Sequence, residues 1–138
     1  MNIDHIATVV YQELQRVSDN AHHEVNLDDP VTYPYLTYTL TAEHLTINSD
    51  GYYLDIDLFD KDTTFNKLLE LETKLREAFQ ARQIDTDQAY IMFNFNSSDN
   101  IRTIDEALKR RNLRFYMKVW WKKPIGIQRQ SKKRTSST

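Results

Sequence analysis

Tyr33-Pro34-Tyr35-Leu36-Thr37-Tyr38-Thr39-Leu40, then a turn, then Gly51-Tyr52-Tyr53-Leu54-Asp55-Ile56-Asp57-Leu58-Phe59-Asp60, then the run from Thr63 to Phe79, is the stretch that decides the fold. Its first two segments are aromatic and β-branched residues in period-two alternation, and the third switches to helical spacing. The pattern predicts a β-hairpin followed by a helix that packs on it. Leu36, Tyr38 and Leu40 share one face of the first strand, with Tyr35, Thr37 and Thr39 on the other. In the second strand Tyr52, Leu54, Ile56 and Leu58 face the core, while Tyr53, Asp55, Asp57 and Phe59 face outwards. Asn48-Ser49-Asp50-Gly51 is good turn chemistry between the two, and Thr41 to Asp50 can extend either strand.

The helix lines up Phe65, Leu68, Leu69, Leu75 and Phe79, with Leu71 at the margin of the stripe and Asp62 or Thr63 as its cap. Glu72 and Arg76 fall within the apolar stripe, four residues apart in the order that favours an ion pair. Two readings stand for them: a pair at the edge of the core or against a neighbouring chain, or two side chains bending out to water over apolar stems. Asp55 and Asp57 sit on one strand face about 7 Å apart, a spacing that admits a divalent cation with outside help. The plainer account is that they form the wet side of an amphipathic strand.

Upstream, Ile3, Ile6, Ala7, Val10, Leu14 and Val17 recur at spacings of three and four, one stripe on a helix that Asn2 or Asp4 can cap. Ser18 to Pro34 loses periodicity and reads as a long connection. Its pair His22-His23 suggests a metal ligand set, but adjacent histidines diverge on either backbone and no third ligand sits at useful spacing. Downstream, Gln83 to Gln88 is a polar connection and Ala89 to Phe95 a third strand with Ile91, Phe93 and Phe95 on one face. Asn96 to Asn100 has loop composition. Ile101 to Arg111 fits a short helix or an extended segment equally. In the fourth strand Leu113, Phe115, Met117, Val119 and Trp121 alternate with Arg114, Tyr116, Lys118, Trp120 and Lys122, making one face apolar and the other cationic and aromatic. The fold class expected is α+β: a mostly antiparallel sheet of four or more strands with two main helices packed on it. Residues 1–123 are expected as one domain and residues 124–138 as a basic, flexible C-terminal tail.

The bulk numbers narrow the function. At 138 residues and 40% apolar, the chain can bury one core. It has no cysteine, which excludes disulfides and thiolate metal sites. Its apolar runs are too short for a membrane span and no secretion signal opens it, so a soluble protein is expected. With two glycines, Gly51 and Gly126, neither a phosphate-cradling loop nor a dinucleotide fingerprint can form. No nucleophile–base motif appears, so an enzyme is not expected, and no cofactor or metal is assigned. Residues 1–101 carry eighteen acidic and six basic side chains, a balance of −12, whereas residues 102–138 carry two and twelve, a balance of +10. Such asymmetry favours head-to-tail self-association. A basic end that merely aids solubility is the alternative. Lys118, Trp120, Lys122 and the tail also admit nucleic-acid binding, by neutralising phosphates and stacking bases.

Some local sequence is recognisable in this order of elements. A first helix, a loop ending in Thr32-Tyr33-Pro34-Tyr35-Leu36-Thr37-Tyr38, the strand Tyr53 to Lys61, a leucine-rich helix, and Lys109-Arg110-Arg111-Asn112-Leu113-Arg114-Phe115 entering an aromatic strand together resemble the tail-terminator, or tail-to-head joining, proteins of long-tailed bacteriophages. The likeness runs from residue 3 to residue 122 and includes no active-site motif; the segment after Pro124 falls outside it. The resemblance implies a small α/β subunit that assembles as a ring, commonly a hexamer, in the tail or neck of a virion after assembly in the host cytoplasm. It implies the tail tube protein and a head connector or stopper as partners, proximity to DNA in the channel, and no membrane. Another connector or tail protein of similar size is the neighbouring alternative. Asp55, Asp57, Arg110, Arg111, Arg114, Lys118, Trp120 and Lys122 are the candidate subunit or partner contacts.

Overall fold

The computed structural model describes residues 2–122; the tail expected at 124–138 lies outside the described residues. The chain runs α1 (Ile3–Val17), β1 (Ala21–His23), β2 (Tyr35–Thr46), β3 (Ser49–Lys61), α2 (Asn66–Phe79), β4 (Gln83–Asp85), β5 (Ala89–Ile101) and β6 (Leu108–Trp121). The strands form one six-stranded sheet in the order β1-β2-β3-β6-β5-β4. All neighbours are antiparallel except β1 with β2. The expected α+β class therefore holds, and the sheet is mostly antiparallel as expected, mixed only through the parallel β1–β2 pair. No described helix is long and apolar enough to cross a membrane.

Alternation fixes which face is buried. Leu54, Ile56 and Leu58 of β3, Leu113, Phe115, Met117 and Val119 of β6, Ile91 and Phe93 of β5 and Leu36 of β2 are all fully buried. They meet Ile6, Val10 and Leu14 of α1 and Leu68, Leu75 and Phe79 of α2 in one core. Phe79 anchors it, with its ring 5.1 Å from Phe93 and 5.5 Å from Phe115 between centroids. A one-residue slip of β6 against β3 would send Leu113, Phe115, Met117 and Val119 to the other face, so the register is strongly specified.

Several boundaries differ from the sequence reading. In α1, Ile3 and Ala7 are exposed while Val9 and Glu13 are buried. Adjacent Val9 and Val10 rotate the buried stripe, and Glu13 is tolerated because Arg16 and Arg82 pair with it. Asn2 holds the N-cap position without a side-chain bond. Helix α2 begins at Asn66 with Phe65 as N-cap, three residues later than expected, because Asp62 instead accepts the Thr63 amide at 2.7 Å in the preceding turn. Leu71 and Glu72 are buried and Leu69 is exposed.

The β2–β3 turn is Ile47-Asn48, and Ser49, Asp50 and Gly51 already belong to β3. Gly51 is needed for close approach: a Cβ there would lie 1.9 Å from the Tyr116 hydroxyl. The expected connection 18–34 contains β1, and the expected connection 83–88 contains β4, each only three residues long. Asn96 to Asn100, read as a loop, continues β5, and the undecided Ile101–Arg111 ends β5, turns, and starts β6 at Leu108.

Candidate interaction surface

The helices cover one face of the sheet and leave the other open. On that open face the cross-strand register sets Asp55 opposite Arg114, Asp57 opposite Asn112, Tyr53 opposite Tyr116 and Phe59 opposite Arg110. The pairing is a fork. Arg114 Nε donates to Asp55 Oδ1 at 2.9 Å and Nη2 to Oδ2 at 3.2 Å. The bond to Asp55, and then the carboxylate's charge, raise the Arg114 pKa further above its ordinary value. Arg110 reaches diagonally to Asp57 Oδ2 at 2.9 Å, and Asn112 fills Asp57 Oδ1 at 3.1 Å. Diagonal reach of this kind is normal for long side chains on one face.

Aromatic rings alternate with these ion pairs. The Arg114 guanidinium lies 4.9 Å from the Tyr53 ring centroid and that of Arg110 5.5 Å from Phe59. Phe59 stacks on Tyr35 at 4.8 Å, and Tyr53 meets Tyr116 edge-on at 5.0 Å. Tyr116 donates its hydroxyl proton to Glu43 at 2.9 Å. Burial, and then that bond to a carboxylate, push its pKa up to about 12. At the far end Lys118 rests 4.9 Å from the Trp120 ring, which packs on Tyr90 at 5.5 Å. Lys122 pairs with Asp85. Sequence periodicity had placed Tyr53, Phe59 and Tyr116 on this face. It had no signal for Glu43 or Tyr35 as their partners, since both depend on the β2–β3 register.

Seven of the eight candidate contact residues therefore lie on the open side of the sheet or at its rim; Arg111 does not. Odd-numbered like Leu113, it turns to the helix side, where it pairs with Glu72 of α2. Its Nη1 donates to Asn100 at 2.7 Å and Nη2 to Ser98 at 3.1 Å. Arg76 completes the cluster, 3.5 Å from Glu72 and 3.9 Å from the Phe95 ring centroid. Of the two readings of Glu72 and Arg76, an ion pair at the edge of the core is the one the structure shows, as part of a larger network.

Among the described residues no group of three or more histidine, aspartate or glutamate side chains is placed to hold a metal ion. His22 Nε2 is engaged with Asn20 Oδ1 at 2.8 Å, and Asp55 and Asp57 are engaged by arginines. Apolar side chains do project to solvent: Val25, Leu27 and Val31 in the loop before β2, Ile47 at the hairpin tip and Ile104 before β6. An arrangement of fixed ion pairs, flat rings and projecting apolar loops suits contact with another macromolecule.

No protein-family model and no curated protein matches the chain. Among solved structures, a chain described as "Virion of native gene transfer agent (GTA) particle" superposes with a TM-score of 0.65 at 13% sequence identity, over 80% of this chain and 91% of that one. At that identity the likeness establishes a shared fold.

Proposed function

We propose that this chain is a structural subunit of a phage-like virion that caps the tail tube as a ring, ends tail elongation and joins the tail to the head connector. The observation that carries the reading is the shared fold, which takes in nearly the whole length of a chain from a gene transfer agent virion. The sequence resemblance to tail-terminator proteins narrows the role from virion protein to cap. The surface supports a contact role too: Asp55, Asp57, Arg110 and Arg114 hold the open face in fixed geometry, and Lys118 and Trp120 offer a cation and a ring without a carboxylate partner among the described residues. We read the protein as non-enzymatic, a ring subunit with itself, the tail tube and the connector or stopper as partners. Electron microscopy of particles lacking it should show free heads and tails of irregular, excessive length. Tails of normal length that fail to join would make it a connector instead.

Nucleic-acid binding is the weaker reading. Arg110, Arg111, Arg114 and Lys122 each face a carboxylate of the same chain, which takes four cations of the basic end out of those free to meet a polyanion.

A further inference from the structure

We infer that successive copies of this chain join by main-chain pairing between the bare half of β2 in one copy and the bare half of β5 in the next. The inference rests on the ring reading for its biological setting and supplies the contact that would build the ring.

The strands next to the two short edge strands, β2 and β5, are each only partly covered. β1 pairs with β2 at Leu36–Tyr38, and β4 pairs with β5 at Tyr90–Met92. Beyond those caps, Thr39–Thr46 and Asn94–Ile101 have no strand on their outer side among the described residues, and nearly all of the side chains are exposed or half-exposed. A long edge without lysine or proline is a template for another strand, and soluble proteins seldom leave one bare. Neither residue type occurs in Thr39–Thr46 or Asn94–Ile101.

The outward hydrogen-bonding groups can be assigned. Leu36 donates to Asn20 O and Tyr38 O accepts from Glu24, so even-numbered residues of β2 point away from β3, and Leu40 and Ala42 carry this outward. Phe93 donates to Arg82 O on the β4 side; the irregularity between Phe95 and Ser97 then shifts the alternation, so that Ser98 and Asn100 point outward. β2 and β5 run in opposite directions within the sheet, because each step across β3 and β6 is antiparallel. Copies in the same orientation would therefore pair these edges antiparallel, with their helices on one side.

Charge and cover together select the register. Setting Ala42 opposite Ser98 and Leu40 opposite Asn100 places Thr41 against Asp99 and Glu43 against Ser97. Sliding by two residues one way sets Glu43 against Asp99, and like charges directly opposed are destabilising; sliding the other way sets Ala42 against Asn96 in the irregular stretch and Tyr38, whose carbonyl already accepts from Glu24, against Asn100. The caps sit at opposite ends of the sheet, since β1 covers the Tyr35 end and β4 the Ala89 end. Docking bare half to bare half thus steps each copy along the strand direction. Closed sheets need such a stagger, which strand tilt absorbs. A head-to-tail contact closes into a ring when its rotation permits.

The chain has no cysteine, so the contact can be tested cleanly. Full-length Ala42→Cys and Ser98→Cys proteins are mixed and oxidised, alone and in extracts where particles assemble. The mixed disulfide dimer should exceed either homodimer by about tenfold or more, because docking raises the local thiol concentration. Ala42→Pro removes an outward amide and leaves the ladder to β3 intact, so self-association should be lost with an unchanged circular dichroism spectrum. Equal homodimers and mixed dimers, or an excess of the Ala42→Cys homodimer that would signal β2–β2 pairing about a two-fold axis, would overturn the inference. Microscopy separates the two claims: properly capped tails without the cross-link sink the edge contact alone, and a strong cross-link in a protein whose loss leaves tail length normal sinks the cap alone.

Discussion

The two faces of the sheet carry the same chemical pair in opposite settings. Glu72 and Arg111 meet on the helix side with side chains 6% and 17% exposed, whereas Asp55 and Arg114 meet on the open side at 23% and 43%. Both are arginine–carboxylate contacts made by β6. The first is desolvated and backed by Ser98 and Asn100; the second borders solvent. Deleting one partner of a buried pair strands an uncompensated charge, while an exposed pair mostly exchanges protein contacts for water. The helix-side pair is therefore the one on which stability depends more.

Four measurements would break or sharpen that contrast. Glu72→Ala should cost about 3 kcal/mol in urea unfolding, because Arg111 loses its carboxylate inside the structure. A loss no larger than that of Asp55→Ala would erase the distinction. Gly51→Ala comes next, at about 1–3 kcal/mol from overpacking against Tyr116. In a Tyr116→Ala background most of that cost should vanish, a coupling that a double-mutant cycle reads directly. Asp55→Ala should cost about 0.5 kcal/mol, shrinking in high salt, since the Arg114 side chain is well exposed.

The smallest effect concerns pH. The Tyr116 hydroxyl is held protonated in the folded protein, with a pKa pushed to about 12 from the ordinary 10.0. Its contribution to stability is complete below the ordinary value and disappears as pH rises through about 12. Burial also raises the pKa values of Tyr35, Tyr38 and Tyr52, so phenolate absorbance should show several late-titrating tyrosines, of which Tyr116→Phe removes one. A tyrosine profile unchanged by that substitution would remove Tyr116 from the open-face network.

The strand faces were legible in the sequence because β3 and β6 each alternate without a break over seven or more residues, and a half-buried strand imposes that pattern. β1 and β4 were not, since three residues carry no period and their pairing comes from tertiary context. Asn96 to Asn100 misled for a different reason. Polar composition marks loops, but at a sheet edge the outward side chains can be polar while the main chain still pairs with β6. The opposite charges of the two parts of the sequence point to a contact between molecules. The structure sets Asp55 and Asp57 against Arg114 and Arg110 within one chain, a result only the β3–β6 register could supply. Arg111 was grouped with the outer cations because one-dimensional clustering ignores the alternation of a strand.

The adjacent tryptophans at the end of β6 have an optical consequence. They are the two indoles of the whole chain. Trp120 lies against Lys118 and Tyr90 on the open side, while Trp121 packs toward the core and donates its ring proton to Asp50 at 2.7 Å. Replacing either one with phenylalanine leaves a single indole that can be excited selectively over the tyrosines: Trp120 alone would report docking at the surface through quenching, and Trp121 alone would report loss of the interior through a red-shifted emission.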